Sequence, residues 1–232
     1  MRRELMIKQN TKPPVNIKWY AYTPTTNSNK ITLDVSFTPD IIIVYDKYRF
    51  ANANWETNGT CPHSIYDAAH GSLSASASSN TASSMQRNVA SLNGKTYSNG
   101  LSYKYFRTGH TIGVFAATTA SLSSADNVYF ADVTPSSAGT SIAVNCPFTP
   151  DFIVVYDTTV MDNNDRAKSK TYTRMYDNVS LGQYNSTTGS SNTTISCTGA
   201  SISTSHAGQT VSFNTIAGHT YRVICYKAEV AQ

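Results

Sequence analysis

Two histidines share one setting: His110 and His219 each follow a glycine and precede a threonine, at the head of an apolar run (Ile112 to Phe115, Tyr221 to Ile224). A repeated histidine is a candidate general base, but acid–base catalysis needs a nucleophile or a carboxylate beside it. No serine, cysteine or acidic residue neighbours both in sequence, so they read as local structural hydrogen-bonding groups, and Ser205-His206 as an idle pair. Asp162-Asn-Asn-Asp165 offers the closely spaced oxygens that a hard cation takes. It lacks the glycine and the terminal glutamate of a helical calcium loop and reads as a solvated turn. A hydrolase of surface polysaccharide would need paired carboxylates, and none stands out in the sequence. No catalytic residue, metal site or cofactor is expected.

The chemistry that is represented is stacking combined with hydrogen bonding. Lys47 to His63 carries Tyr48, Phe50, Trp55 and His63 among Asn52, Asn54 and Asn58-Gly59. Aromatic rings set among amides are what a sugar-binding surface needs, and loops are where binding resides on a rigid β scaffold. Tyr48, Asn52, Asn54, Trp55 and His63 are therefore the candidate glycan or partner-binding residues. The structural alternative is that Trp55 and Tyr48 fold back onto a sheet edge.

The elements that must position these residues are repeated. Phe37-Thr-Pro-Asp-Ile-Ile-Ile-Val-Tyr-Asp46 recurs as Phe148-Thr-Pro-Asp-Phe-Ile-Val-Val-Tyr-Asp157. Asn16 to Trp19 faces Asn127 to Phe130 at an offset of 127 − 16 = 111, Tyr66-Asp67 faces Tyr176-Asp177 at 110, Ser78 to Thr81 faces Ser190 to Thr193 at 112, and Gly109-His-Thr111 faces Gly218-His-Thr220 at 109. Such small drift is that of loop insertions in two copies, too few and too long for a solenoid. In each copy an alternating run enters Thr-Pro-Asp, a turn signal. Ile41 to Tyr45 and Phe152 to Tyr156 then form a continuous apolar stretch, read as the most buried strand of each copy. The Asp of each Thr-Pro-Asp and the shared Tyr-Asp pairs read as turn residues. Gly71 to Ser84 alternates small apolar residues with serines and reads as an edge strand or hairpin arm, as does Tyr184 to Thr194. The counterpart of the aromatic loop, Thr158 to Lys170, has no aromatic residue, so the copies diverge most there.

The expected fold class is all-β: two tandem antiparallel β-sandwich domains, jelly-roll-like or lectin-like, at 16–122 and 127–232, each with its own core, preceded by an extended N-terminal arm at 1–15. Composition agrees. Only 14% of residues are charged, against about 25% in typical domains, while Ser, Thr, Asn and Tyr are plentiful. A net charge of +4 with scattered basic residues argues against a nucleic-acid partner. Cys146 aligns with Val35, Cys197 with Met85, and Cys225 alternates with Val223 and Tyr221, so these three read as small apolar core residues in a reduced chain. Cys61 has no evident partner. No apolar segment reaches membrane-spanning length, and residues 1–10 have no secretory h-region. The arm holds Arg2, Arg3, Lys8 and Lys12 beside Pro13-Pro14. It reads either as a frayed terminus or as an assembly arm docking on a neighbouring subunit.

Phe-Thr-Pro-Asp, a hydrophobic strand, a Ser/Thr/Asn-rich middle, and Asn214-x-x-x-Gly-His-Thr-Tyr before a last apolar strand together resemble β-sandwich modules of bacteriophage virion-surface proteins, of the tail-fibre, receptor-binding and head-decoration type. The resemblance implies antiparallel sandwiches, symmetric oligomers, other virion proteins as partners and a place on the outside of the particle, while the lack of a long apolar segment argues against a membrane partner. It carries over no binding residue. A distant likeness to hexameric H-type lectins is one of strand order only. The expected function is a non-enzymatic structural protein on the surface of a phage particle, a tail fibre, appendage or capsid decoration contacting host-surface glycan. A free lectin-like carbohydrate-binding module is the alternative, and a polysaccharide hydrolase the third reading.

Overall fold

A computed structural model describes residues 14–25, 30–32, 35–47, 63–75, 96–98, 108–138, 143–144, 146–163, 173–177, 182–184, 196–197, 200–201 and 215–229. Among the described residues the fold is mostly β, with two antiparallel five-stranded sheets and the short helices Thr119–Ser124 and Thr158–Asp162. The first sheet runs in the order β1 (Ile17–Tyr22), β7 (Ile112–Ala117), β3 (Ile41–Asp46), β4 (His63–Asp67) and β5 (Gly71–Ala75). Read from its other end, the second runs β8 (Val128–Val133), β15 (Tyr221–Tyr226), β10 (Phe152–Asp157), β11 (Thr173–Asp177) and β12 (Gly182–Tyr184). Within each half of the chain the strands thus take the same spatial order. Smaller sheets pair β2 (Lys30–Thr32) with β6 (Thr96–Ser98), and β9 (Ala143–Val144) and β14 (Ala200–Ser201) with β13 (Ser196–Cys197). Helix α1 (Thr119–Ser124) connects the halves and is capped by Thr118, whose hydroxyl accepts from Ser121 N; helix α2 (Thr158–Asp162) follows β10 and is capped by Asp157.

The registers match as the orders do. Ile41 lies opposite Ala117 and Asp67 in the first sheet, and Phe152 opposite Tyr226 and Asp177 in the second. The Thr-Pro-Asp turns are tied alike: Asp40 N donates to Ala117 O at 2.9 Å, and Asp151 N to Tyr226 O at 2.9 Å. Their carboxylates are more than local turn acceptors. Asp40 Oδ2 receives Thr119 N at 2.8 Å, and Asp151 Oδ2 receives Ala228 N at 2.9 Å, each from beyond the strand that pairs with its own.

Burial follows the apolar runs. Ile41 to Tyr45 and Phe152 to Tyr156 are all fully buried, which an uninterrupted β-branched and aromatic strand needs because both its faces must leave water. One face of the first sheet, Ile42, Val44, Ile112, Val114 and Ala116, packs with Val35, Phe37, Tyr20 and Tyr66. The other face does not close on its own half. Ile41, Ile43, Tyr45, Ile65 and Phe115 join Phe152, Val154, Tyr156, Ile224 and their neighbours in one buried cluster that draws on both halves. Sheets apolar on both faces must bury the second face against something, and in this cluster each meets the other. Phe37 and Phe148 are only partly buried.

Rings show how the sheets cross. Phe152 lies 5.5 Å from Trp19 on β1, 5.1 Å from Phe115 on β7 and 5.9 Å from Tyr45 on β3, ring centre to ring centre. Tyr156, about 13 Å further along β10, bonds Asp67 on β4, a strand about 10 Å from β7. Strand β10 therefore runs obliquely across the first sheet. Among the described residues no helix is long and apolar enough to cross a membrane.

Candidate functional site

Among the described residues, two clusters of polar side chains gather at strand ends of the second sheet. The first is a buried cluster between the sheets. Asp67, at the end of β4, has a side chain only 2% exposed. Its Oδ2 accepts from Tyr156 Oη at 2.7 Å and Arg222 Nη1 at 2.6 Å, and its Oδ1 from Ala69 N at 3.0 Å. Arg222 also donates from Nε and Nη2 to the two carboxylate oxygens of Asp132, at 2.8 and 2.7 Å, a fork-to-fork pair. Its guanidinium stands 5.1 Å above the ring of Phe130. Burial pushes the Tyr156 hydroxyl well above its ordinary pKa, and the neighbouring Asp67 carboxylate pushes the same way, so the phenol stays protonated as a donor. For Arg222 burial opposes the charge, but the Asp132 hydrogen bond and the charges of Asp67 and Asp132 outweigh it and raise the pKa. Asp67 is thus a buried junction, which corrects the reading of the Tyr-Asp pairs as turn residues alone. Its partners are 89 and 155 residues away, beyond any sequence spacing.

The second place is the start of α2. Asp157 Oδ1 accepts from Val160 N at 2.9 Å, and its Oδ2 lies 2.7 Å from His219 Nδ1. Threonines knit the surroundings: Thr158 Oγ1 donates to Thr220 O at 3.0 Å, Thr220 N to Thr159 Oγ1 at 2.9 Å, and Thr134 and Thr220 hydroxyls are 2.9 Å apart. His219 therefore does have an acidic partner, supplied by the strand beside it rather than by the adjacent sequence. A carboxylate at Nδ1 orients an imidazole, as in hydrolytic triads, but this carboxylate also caps a helix, and both bonds hold the strand end to α2. At the other end of α2, Asp162 Oδ1 lies 3.0 Å from Nδ1 of His70, which comes from the β4–β5 turn of the other half. Among the described residues no group of three potential metal ligands occurs.

The residues expected to bind glycan are placed as follows. His63 begins β4, its backbone opposite Tyr45 and Ala75. Tyr48, Asn52, Asn54 and Trp55 lie outside the described residues, as do Arg2, Arg3, Lys8 and Lys12 of the arm. Cys146 and Cys225 are fully buried, as the repeat implies. The clusters around Asp67 and Asp157 escape sequence reading because each joins residues from distant segments. The signals that pointed at them were the repeated Tyr-Asp and Gly-His-Thr. No family model, curated protein or solved structure matches the chain.

Proposed function

We propose that this chain is a non-enzymatic structural protein on the surface of a bacteriophage particle, built as two tandem antiparallel β-sandwiches that arose by duplication. The observation that carries the duplication is the agreement of the two five-stranded sheets in strand order, in register and in their Asp40 and Asp151 ties, at the offsets read from the sequence. The particle setting rests on the resemblance of the Phe-Thr-Pro-Asp and Gly-His-Thr pattern to virion-surface modules. A structural role fits the polar groups: the buried Asp67 and Asp157 carboxylates, the Arg222 guanidinium and the half-buried His219 imidazole are used in tying strands, helix ends and the two sheets together. Its partners on this reading are further copies of itself, other virion proteins and a host-surface glycan held by the aromatic loop of Tyr48 to His63.

Mass spectrometry of purified particles tests this reading. The chain should be present at stoichiometric copy number after washing in high salt. Recovery only from the soluble lysate, with glycan binding retained, would instead make it the free lectin-like module. In particles that do contain it, Trp55→Ala should leave incorporation intact and weaken host-surface binding by about 1–3 kcal/mol, the apolar contribution of one stacked ring.

A further inference from the structure

The registers allow the two inner faces to be compared row by row. In the first sheet one row across β3, β7 and β1 reads Tyr45, Gly113, Ala21; the matching row across β10, β15 and β8 reads Tyr156, Arg222, Asp132. The next rows read Ile43, Phe115, Trp19 against Val154, Ile224, Phe130, and then Ile41, Ala117, Ile17 against Phe152, Tyr226, Val128. Where the second half carries an ion pair, the first carries glycine and alanine. The space over Gly113 is taken by the Tyr45 ring, into which any added Cβ would run, and Tyr45 Oη accepts from Trp19 Nε1 at 3.0 Å. The bulky Phe152 and Tyr226 of the second half pack among Trp19 and Phe115 of the first.

We infer that these inner faces form an obligate, keyed interface between unlike halves, in which the Asp67 carboxylate of the first half requires the Arg222 and Tyr156 of the second. The inference rests on the tandem reading above. An apolar face this continuous resembles an obligate subunit contact rather than a loose domain contact. The polar cluster sets which face can fill it. Two first halves packed together would bury two Asp67 carboxylates with no guanidinium, since Gly113 stands where Arg222 would be, and an unpaired buried charge is strongly unfavourable. Two second halves would face the guanidiniums with Asp177, which holds the register position of Asp67, but would lose the Phe115 and Trp19 rings that receive Phe152. The chain is in this sense a fused dimer with its partner built in.

Insertion of a protease recognition sequence between Ser123 and Ser124 in the full chain, both exposed in the last turn of α1, allows the halves to be cut apart after folding. Native mass spectrometry should show one fragment of each kind per complex, persisting on dilution. After the cut protein is unfolded in urea and refolded, with one batch isotope-labelled, unlike pairs should again be the sole product. In Asp67→Asn/Arg222→Met, whose faces are equally apolar but lack the key, first–first pairs should appear. Separation of the fragments, or a statistical mixture of like and unlike pairs from the unmodified sequence, would overturn the inference. If the fragments part, their circular dichroism tells the two readings apart: folded fragments leave the tandem reading standing, and unfolded ones remove it as well.

Discussion

Arg222→Met is the most informative single perturbation of this molecule. Methionine keeps an unbranched stem of similar length against Phe130 and removes the charge, so the change isolates the guanidinium. What remains is Asp67, with 2% of its side chain exposed, still accepting from the neutral Tyr156 hydroxyl and Ala69 N–H but with no cation. Breaking a buried pair by removing one partner costs about 3–5 kcal/mol, because the surviving charge is stranded away from water. The bonds to Asp132 add little, since that carboxylate is 41% exposed and exposed pairs are worth about 0–1 kcal/mol. Asp67→Asn alone should also destabilise, as it leaves Arg222 facing an amide. The double variant should be more stable than the sum of the single losses allows, by about 1–3 kcal/mol of coupling. Urea unfolding followed by tryptophan fluorescence is a suitable assay, because Trp19 sits in the same interface. A loss below about 1 kcal/mol for Arg222→Met, or additive losses in the double variant, would refute the view of Asp67 as a buried junction that depends on its cation.

Three further outcomes follow from the same coordinates. Tyr156 has a folded-state pKa raised well above its ordinary value and Tyr226 is raised too, so the unfolded chain releases these protons first; stability should be complete below about pH 10 and fall as the pH rises beyond it. Tyr156→Phe should flatten that alkaline decline while lowering neutral-pH stability by about 1–3 kcal/mol through the donor lost to Asp67; an unchanged alkaline slope would mean Tyr156 is not the titrating group. Gly113→Ala should destabilise by about 1–3 kcal/mol through overpacking against the Tyr45 ring, with Tyr45→Leu restoring part of it in a thermal melt. Cys146 and Cys225, both fully buried, should resist a small alkylating reagent until the protein is denatured, and rapid native labelling would contradict their burial.

Local order was legible from the chain alone. Ile41 to Tyr45 and Phe152 to Tyr156 declared themselves as buried strands because unbroken β-branched and aromatic residues fit little else. Gly71 to Ser84, small and polar in alternation, read as an edge strand or hairpin arm, and among the described residues β5 lies at the edge of its sheet. The repeat disclosed which strands correspond, since strand identity depends on neighbours in sequence and on a period of two. Contacts across the sheets were not legible. Asp67 could be seen only as the partner of its own turn, because its bonds to Tyr156 and Arg222 arise from the way β10 crosses β4, a matter of sheet twist and ring packing that no local pattern encodes. The same holds for His219, whose carboxylate partner is close in space and 62 residues off in sequence. Amino-acid order by itself pointed to the buried strands, to the shared order of strands in the two halves and to the buried, apolar setting of Cys146 and Cys225. Only the tertiary structure decided that the second face of each sheet is buried against the other, for a face that must leave water will take whichever apolar surface the fold brings within reach.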